Sequence, residues 1–256
     1  MSYSGHAGKT HWRLPLLLLL VALLLFAIIT AAVLMGDSRL LAINKGVYAS
    51  LQAHRNPELD VVMRAITAIG DAAVTVPVAM GALTWLLALR AWRSASYWVL
   101  ATAFGTVLVG LVKNLTQVSR PQDLYTGLSN FSFPSGHSTM GLVVYGLLAL
   151  FVSRGGSAGR RGWLLAAAAV LIGAIGFSRL YLGAHWFSDV VGGFALGSAW
   201  VAAVVLGWQQ ASETPRRLSG LLLVVLGMML LAGAWHFYSG DDVARARYQQ
   251  AETPAQ

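Results

Sequence analysis

Residues 163–208 read WLLAAAAVLIGAIGFSRLYLGAHWFSDVVGGFALGSAWVAAVVLGW. Two apolar runs, 163–177 and 187–208, flank a short polar island that holds Ser178, Arg179, His185 and Asp189. A helix crosses bilayer hydrocarbon with about 20 largely apolar residues, and the second run meets that length outright. Ionisable groups at such a boundary are costly to place, so they point to function. The alternation continues in both directions, with further apolar runs at 14–35, 72–89, 95–112, 138–153 and 218–236. These runs predict an all-α, polytopic transmembrane helix bundle of six core spans plus a seventh, C-terminal span.

Composition agrees. With 57% hydrophobic and 11% charged residues, the chain is no soluble globular domain. It has no cysteine, which removes disulfides, thiolate metal sites and cysteine nucleophiles. The net charge of +8 is scattered among loops and forms no stripe, so nucleic acid is not the expected partner. Orientation accounts for it better. With residues 1–13 as a cytoplasmic N-terminus, Lys9, Arg13, Arg90, Arg93, Arg154, Arg160, Arg161, Arg216 and Arg217 crowd the short inner segments. The first apolar run is longer than the 7–15 residues of a secretory signal core, so it is expected to stay as the first helix. Residues 36–60 form the longest connection. Leu40, Ile43, Val47 and Leu51 recur there at helical spacing, which fits either an amphipathic helix in the outer interface or an ordinary loop. The transmembrane unit is expected over 14–236, with a motif core at 60–208 and a disordered polar tail at 237–256.

Three polar motifs sit at helix ends. Lys113 closes the third span and His137 opens the fourth; Arg179 follows the fifth and His185 precedes the sixth. Alternating helices therefore bring all four to one face of the membrane. Lys113 and Arg120 lie seven apart and share a helical face if the helix runs that far, before Pro121 turns the chain. As cations they can hold phosphate oxygens or simply anchor a helix end. In Pro134-Ser135-Gly136-His137, Ser135 can cap a helix whose free amides face an anion, Gly136 permits close backbone approach, and His137 can protonate a leaving oxygen. His185 and Asp189 are at i and i+4, so the carboxylate can fix the imidazole tautomer and leave the other nitrogen as a nucleophile. Zinc on the His/His/Asp set is conceivable, but the spacing matches no common zinc motif.

With these residues in hand, the chain closely resembles the type 2 phosphatidic acid phosphatase superfamily, relatives of the vanadium haloperoxidases. The family signatures Lys-x6-Arg-Pro, Pro-Ser-Gly-His and Ser-Arg-x5-His-x3-Asp occur in order at Lys113–Pro121, Pro134–His137 and Ser178–Asp189. The resemblance covers roughly 60–208 and includes Gly70-Asp71, a frequent companion in the family; Asp71 can instead simply anchor that helix, and it is not counted among the catalytic residues. It implies a metal-independent, cofactor-free lipid phosphatase. His185 would attack phosphorus to form a phosphohistidine, oriented by Asp189, while His137 protonates the leaving group. Lys113, Arg120, Ser135, Gly136 and Arg179 would bind the phosphate.

The expected partners are a membrane lipid phosphate and the bilayer itself. The expected location is a bacterial cytoplasmic (inner) membrane, with the site on the periplasmic or extracellular face. Undecaprenyl diphosphate is the first substrate expected, on family frequency; phosphatidylglycerophosphate and phosphatidic acid are the alternatives. A phosphotransferase on the same fold is a second reading. A transporter or lipid-binding protein is a third, disfavoured because transporter charges sit near the midplane and no internal repeat is present. The sequence leaves oligomeric state open.

Overall fold

The computed structural model describes residues 12–122, 130–153, 156–209 and 219–249. Regular structure among the described residues is helical throughout: α1 (Arg13–Leu34), α2 (Ser38–Ala53), α3 (Pro57–Ile69), α4 (Ala72–Ala88), α5 (Trp92–Thr116), α6 (Gly136–Gly141), a π turn (Leu142–Gly146), α7 (Leu147–Ser153), α8 (Ala158–Tyr181), α9 (Phe187–Gln209) and α10 (Ser219–Gln249). Among the described residues, seven runs are long and apolar enough to cross a membrane: Arg13–Leu34, Pro57–Ala88, Trp92–Thr116, Gly136–Ser153, Ala158–Tyr181, Phe187–Trp208 and Gly220–Gly240. The expected bundle of seven spans is what the chain forms. Its outward side chains are apolar, among them Leu24, Leu115, Val170 and Leu231. Lipid is the solvent that suits such a belt.

The core lies where α4, α5, α7, α9 and α10 meet, around Val78, Leu86, Trp98, Phe151, Trp208 and Leu221. Near the site the packing is closer. A Cβ on Gly193 would lie 2.8 Å from the Ser135 carbonyl oxygen, and one on Gly197 3.0 Å from that of Thr139. Glycines four apart let α9 touch α6 backbone to backbone, and Thr139 Oγ1 donates across the contact to the Gly193 carbonyl at 3.1 Å. The loop before α6 is held likewise: Phe133 fills the space above Gly192 and stacks on Phe26 of α1 at 5.8 Å.

One open reading is decided and two expectations change. The connection at 36–60 contains a helix, α2, but polar groups dock it: Asn44 is buried and bonds both the hydroxyl and amide of Ser188 at 3.0 Å, and Gln52 donates to the Tyr181 carbonyl at 3.0 Å. The second span starts well before 72, because Pro57 at the first turn and Asn56 as cap open α3, and α4 follows after Gly70-Asp71. Here Asp60, Arg64 and Thr67 face inward while Leu59, Val61 and Val62 are exposed. Buried Arg55 pairs with Asp60 through Nε at 3.1 Å and Nη2 at 2.5 Å. Last, the segment expected as a disordered tail is helical through Gln249, so the folded unit extends past 236. Tyr248 is buried against Tyr181, Leu182 and Ala184, which gives the polar end of α10 a place to dock. Residues 250–256 and 1–11 lie outside the described residues.

Candidate active site

The spacing of the third motif is that of two helix caps back to back. At the end of α8, Leu182 is the C-cap and Gly183 takes φ +67°. Gly183 N donates to the Leu180 carbonyl and Ala184 N to that of Arg179, both at 3.0 Å. This is a Schellman cap, and its left-handed residue favours glycine. The turn drops His185 beside the first turn of α9. There Asp189 sits at the third position, and its Oδ2 accepts from the Trp186 amide at 2.8 Å, as the acid of a capping box does. The same oxygen lies 3.2 Å from His185 Nδ1. One carboxylate oxygen thus fixes both the helix start and the imidazole. Asn44 of α2 supplies the amide oxygen that accepts from Ser188 N.

With Nδ1–H directed at Asp189, Nε2 carries the lone pair. It faces Arg120, whose Nη1 lies 3.0 Å away and also donates to the Ala184 carbonyl at 2.6 Å. Burial lowers the pKa of His185 well below the usual 6.5, and Arg120, Arg179, Lys113 and His137 lower it further. His185 is therefore a neutral imidazole at neutral pH.

Lys113 and Arg120 meet, though not by the helical route the spacing suggests. α5 ends at Thr116, and Gln117 turns left-handed at φ +47°. Arg120 then arrives on irregular chain past the helix end. The two cations converge because both donate to the Phe131 carbonyl, Arg120 through Nη2 at 3.3 Å. Lys113 also reaches the Ser132 carbonyl at 3.3 Å.

Ser135 caps α6 as expected, its Oγ accepting from the Ser138 amide at 3.4 Å and the Ser138 hydroxyl at 3.1 Å. Its own amide donates to the Asp189 carbonyl at 3.0 Å, which ties the second motif to the third. Ser135 Oγ accepts both bonds, which leaves its own hydroxyl proton as a donor. What α6 offers an anion is its first amides, which lack acceptors within the helix. Protein atoms leave room for a Cβ at Gly136, the nearest being Val109 Cγ1 at 3.7 Å, so any need for glycine there comes from a ligand.

His137 stands at the other side, 3.8 Å from Asp71 Oδ2. A Cβ on Gly70 would lie 2.6 Å from Ile175 and 3.1 Å from the His137 ring, so the break between α3 and α4 needs glycine for Ile175 and His137 to pack there. Tyr145 of the π turn donates to the Ile69 carbonyl at 2.6 Å and secures that break. Asp71 caps α4 through Ala73 N at 3.0 Å, as expected of an anchor, but it also faces His137 and, at 4.0 Å, His236 of α10. Sequence reasoning missed the second role, although the adjacent glycine was a signal. Among the described residues no three His, Cys, Asp or Glu side chains converge as a metal site requires.

Below Asp71 and His137 a cavity of about 560 Å³ opens between α4, α5 and α6, walled by Val76, Met80, Leu83, Trp98, Thr102 and Met140.

Comparison with known proteins places the chain in a family. The model of the PAP2 superfamily matches residues 94–213. Phosphatidylglycerophosphatase B of Bacillus subtilis (strain 168) is 31% identical over 186 residues, which cover 69% of this chain and 88% of the relative. The chain belongs to the PAP2 superfamily. A crystal structure described as the first transmembrane PAP2 type phosphatidylglycerolphosphate phosphatase, also from Bacillus subtilis, superposes with a TM-score of 0.69 at 26% identity; it covers 77% of this chain and 98% of its own. This PAP2 protein is a multi-pass membrane phosphatase acting on lipid phosphates.

Proposed function

We propose that the chain hydrolyses phosphatidylglycerophosphate, releasing inorganic phosphate at the outer face of a bacterial cytoplasmic membrane. The observation that carries this reading is the cavity, which runs from Asp71, Gly136 and His137 into an apolar channel walled by Val76, Met80, Leu83, Trp98 and Met140. From Asp71 to Leu83 the helix advances about 18 Å, enough for most of an acyl chain while the phosphate stays at the headgroup level. Undecaprenyl diphosphate, the first substrate expected from sequence, has less support, since both relatives are named for phosphatidylglycerophosphate. The loop charges support the outer placement of the site.

In this scheme the phosphoryl group displaces Arg120 from His185 Nε2 and takes up its guanidinium as a ligand. Lys113, Arg179 and the first amides of α6 complete the cradle for the equatorial oxygens. His185 Nε2 attacks phosphorus, the P–O bond to glycerol breaks, and His137 gives the departing alkoxide its proton. Asp189 stabilises the cation that forms on His185. Water then attacks the phosphohistidine, His137 takes a proton from it, and phosphate leaves. No step calls for a metal.

The test is phosphate release from detergent-purified protein with phosphatidylglycerophosphate, phosphatidic acid and undecaprenyl diphosphate, with and without EDTA. The proposal expects release that survives EDTA and a kcat/KM highest for phosphatidylglycerophosphate. Metal-dependent release, or clear preference for the diphosphate, would overturn it.

A further inference from the structure

α10 lies wholly beyond the residues that the superfamily model matches. It is nonetheless in contact with the site. Its last turn presents Tyr248, which is 4% exposed. The Tyr248 hydroxyl lies 2.8 Å from Nη1 of Arg179, and Thr67 Oγ1 of α3 accepts from the same nitrogen at 2.8 Å. The guanidinium carbon stands 6.0 Å from the Tyr248 ring centroid. Arg179 itself is 1% exposed, so its position is set by these neighbours and not by water.

Two further contacts place Tyr248 deliberately. Its ring packs on Leu182 and Ala184, the turn that carries the chain from Arg179 to His185. Its carbonyl accepts from Arg55 Nη1 and Nη2, both at 3.4 Å, and Arg55 is anchored by Asp60. Earlier in α10, His236 reaches Asp71 at 4.0 Å.

The geometry points to Tyr248 as a positioning residue for Arg179: α10, past its membrane-spanning part, carries a hydroxyl that holds the guanidinium plane in register with a phosphoryl group on His185. An arginine serves a phosphate through a planar fork, and its value depends on the plane being fixed beforehand. With both hydrogens of Nη1 committed to Thr67 and Tyr248, the plane is held. Removing the Tyr248 hydroxyl loosens that hold. This inference rests on the proposed phosphate role of Arg179.

The experiment compares Tyr248→Phe, Arg179→Lys and the double variant for inhibition by orthovanadate, which adopts the five-coordinate geometry of phosphoryl transfer, and for kcat and KM on phosphatidylglycerophosphate. A chain ended after Gly240 removes Tyr248 while keeping the apolar span, and thermal midpoints are recorded for all. The expected result is a vanadate Ki raised about tenfold in Tyr248→Phe, with kcat reduced, KM little changed, and a similar rise in the shortened chain. In the Arg179→Lys background, Tyr248→Phe should add nothing. A Ki weakened by Arg179→Lys but unmoved by Tyr248→Phe, or effects that simply add, would overturn the positioning role and leave the phosphate role standing. A Ki unmoved by Arg179→Lys would remove both.

Discussion

Among the described residues, the site pairs His185 with Asp189, four positions apart in the chain, and His137 with Asp71, 66 positions apart, and the two pairs differ in structure. His185 and Asp189 lie 3.2 Å apart on one helix start, with side chains 1% and 0% exposed. His137 and Asp71 come from different helices, lie 3.8 Å apart, and are 19% and 37% exposed at the mouth of the cavity. The first pair is rigid, dry and surrounded by cations, conditions that keep an imidazole neutral in one tautomer. The second is loose and open, which lets it exchange protons with a leaving group and then with water. In the scheme above, the buried pair is the nucleophile and the open pair the proton carrier.

The largest expected effect is on the buried pair. His185→Asn should reduce kcat on the order of 10⁴-fold or more, with little change in thermal midpoint, as followed by phosphate release. His137→Gln should cost about 10²- to 10⁴-fold and flatten the basic limb of the kcat/KM profile; if it matched His185→Asn while leaving the pH profile intact, the division of roles would fail. Gly193→Ala attacks the contact that joins the second motif to the third. A methyl 2.8 Å from the Ser135 carbonyl must push α6 from α9, costing about 1–3 kcal/mol of stability and most of the activity. Asp71→Asn should cost only about tenfold, because the looser carboxylate orients and does not anchor. The smallest effect is on stability. His185 has a folded pKa below its unfolded 6.5, so the unfolded state binds the extra proton and acid favours unfolding. The thermal midpoint should fall as pH drops below about 6.5, and His185→Asn should make that fall shallower.

The buried pair was legible in the sequence because its geometry is local. A Schellman glycine at 183 and an N3 acid at 189 set the distance from Arg179 to His185 to Asp189, and such caps are written in consecutive residues. The apolar runs gave the spans for the same reason. What escaped reading depended on partners distant in the chain. α3 turns its polar residues inward and its apolar ones to lipid, so a pattern that reads as loop is a helix. Lys113 and Arg120 share the Phe131 carbonyl, which no spacing reveals. Asn44 and Tyr248 each act across more than sixty residues, in segments that composition marks only as connection and tail.

The central claim is that His185, and not His137, carries the phosphoryl group. Rapid acid-free quenching of the enzyme with ³²P-labelled phosphatidylglycerophosphate, followed by denaturing electrophoresis at alkaline pH, tests it directly. The account predicts acid-labile label on the wild-type chain, none on His185→Asn, and label that forms slowly and persists on His137→Gln. Label on His185→Asn, or label lost only in His137→Gln, would contradict it.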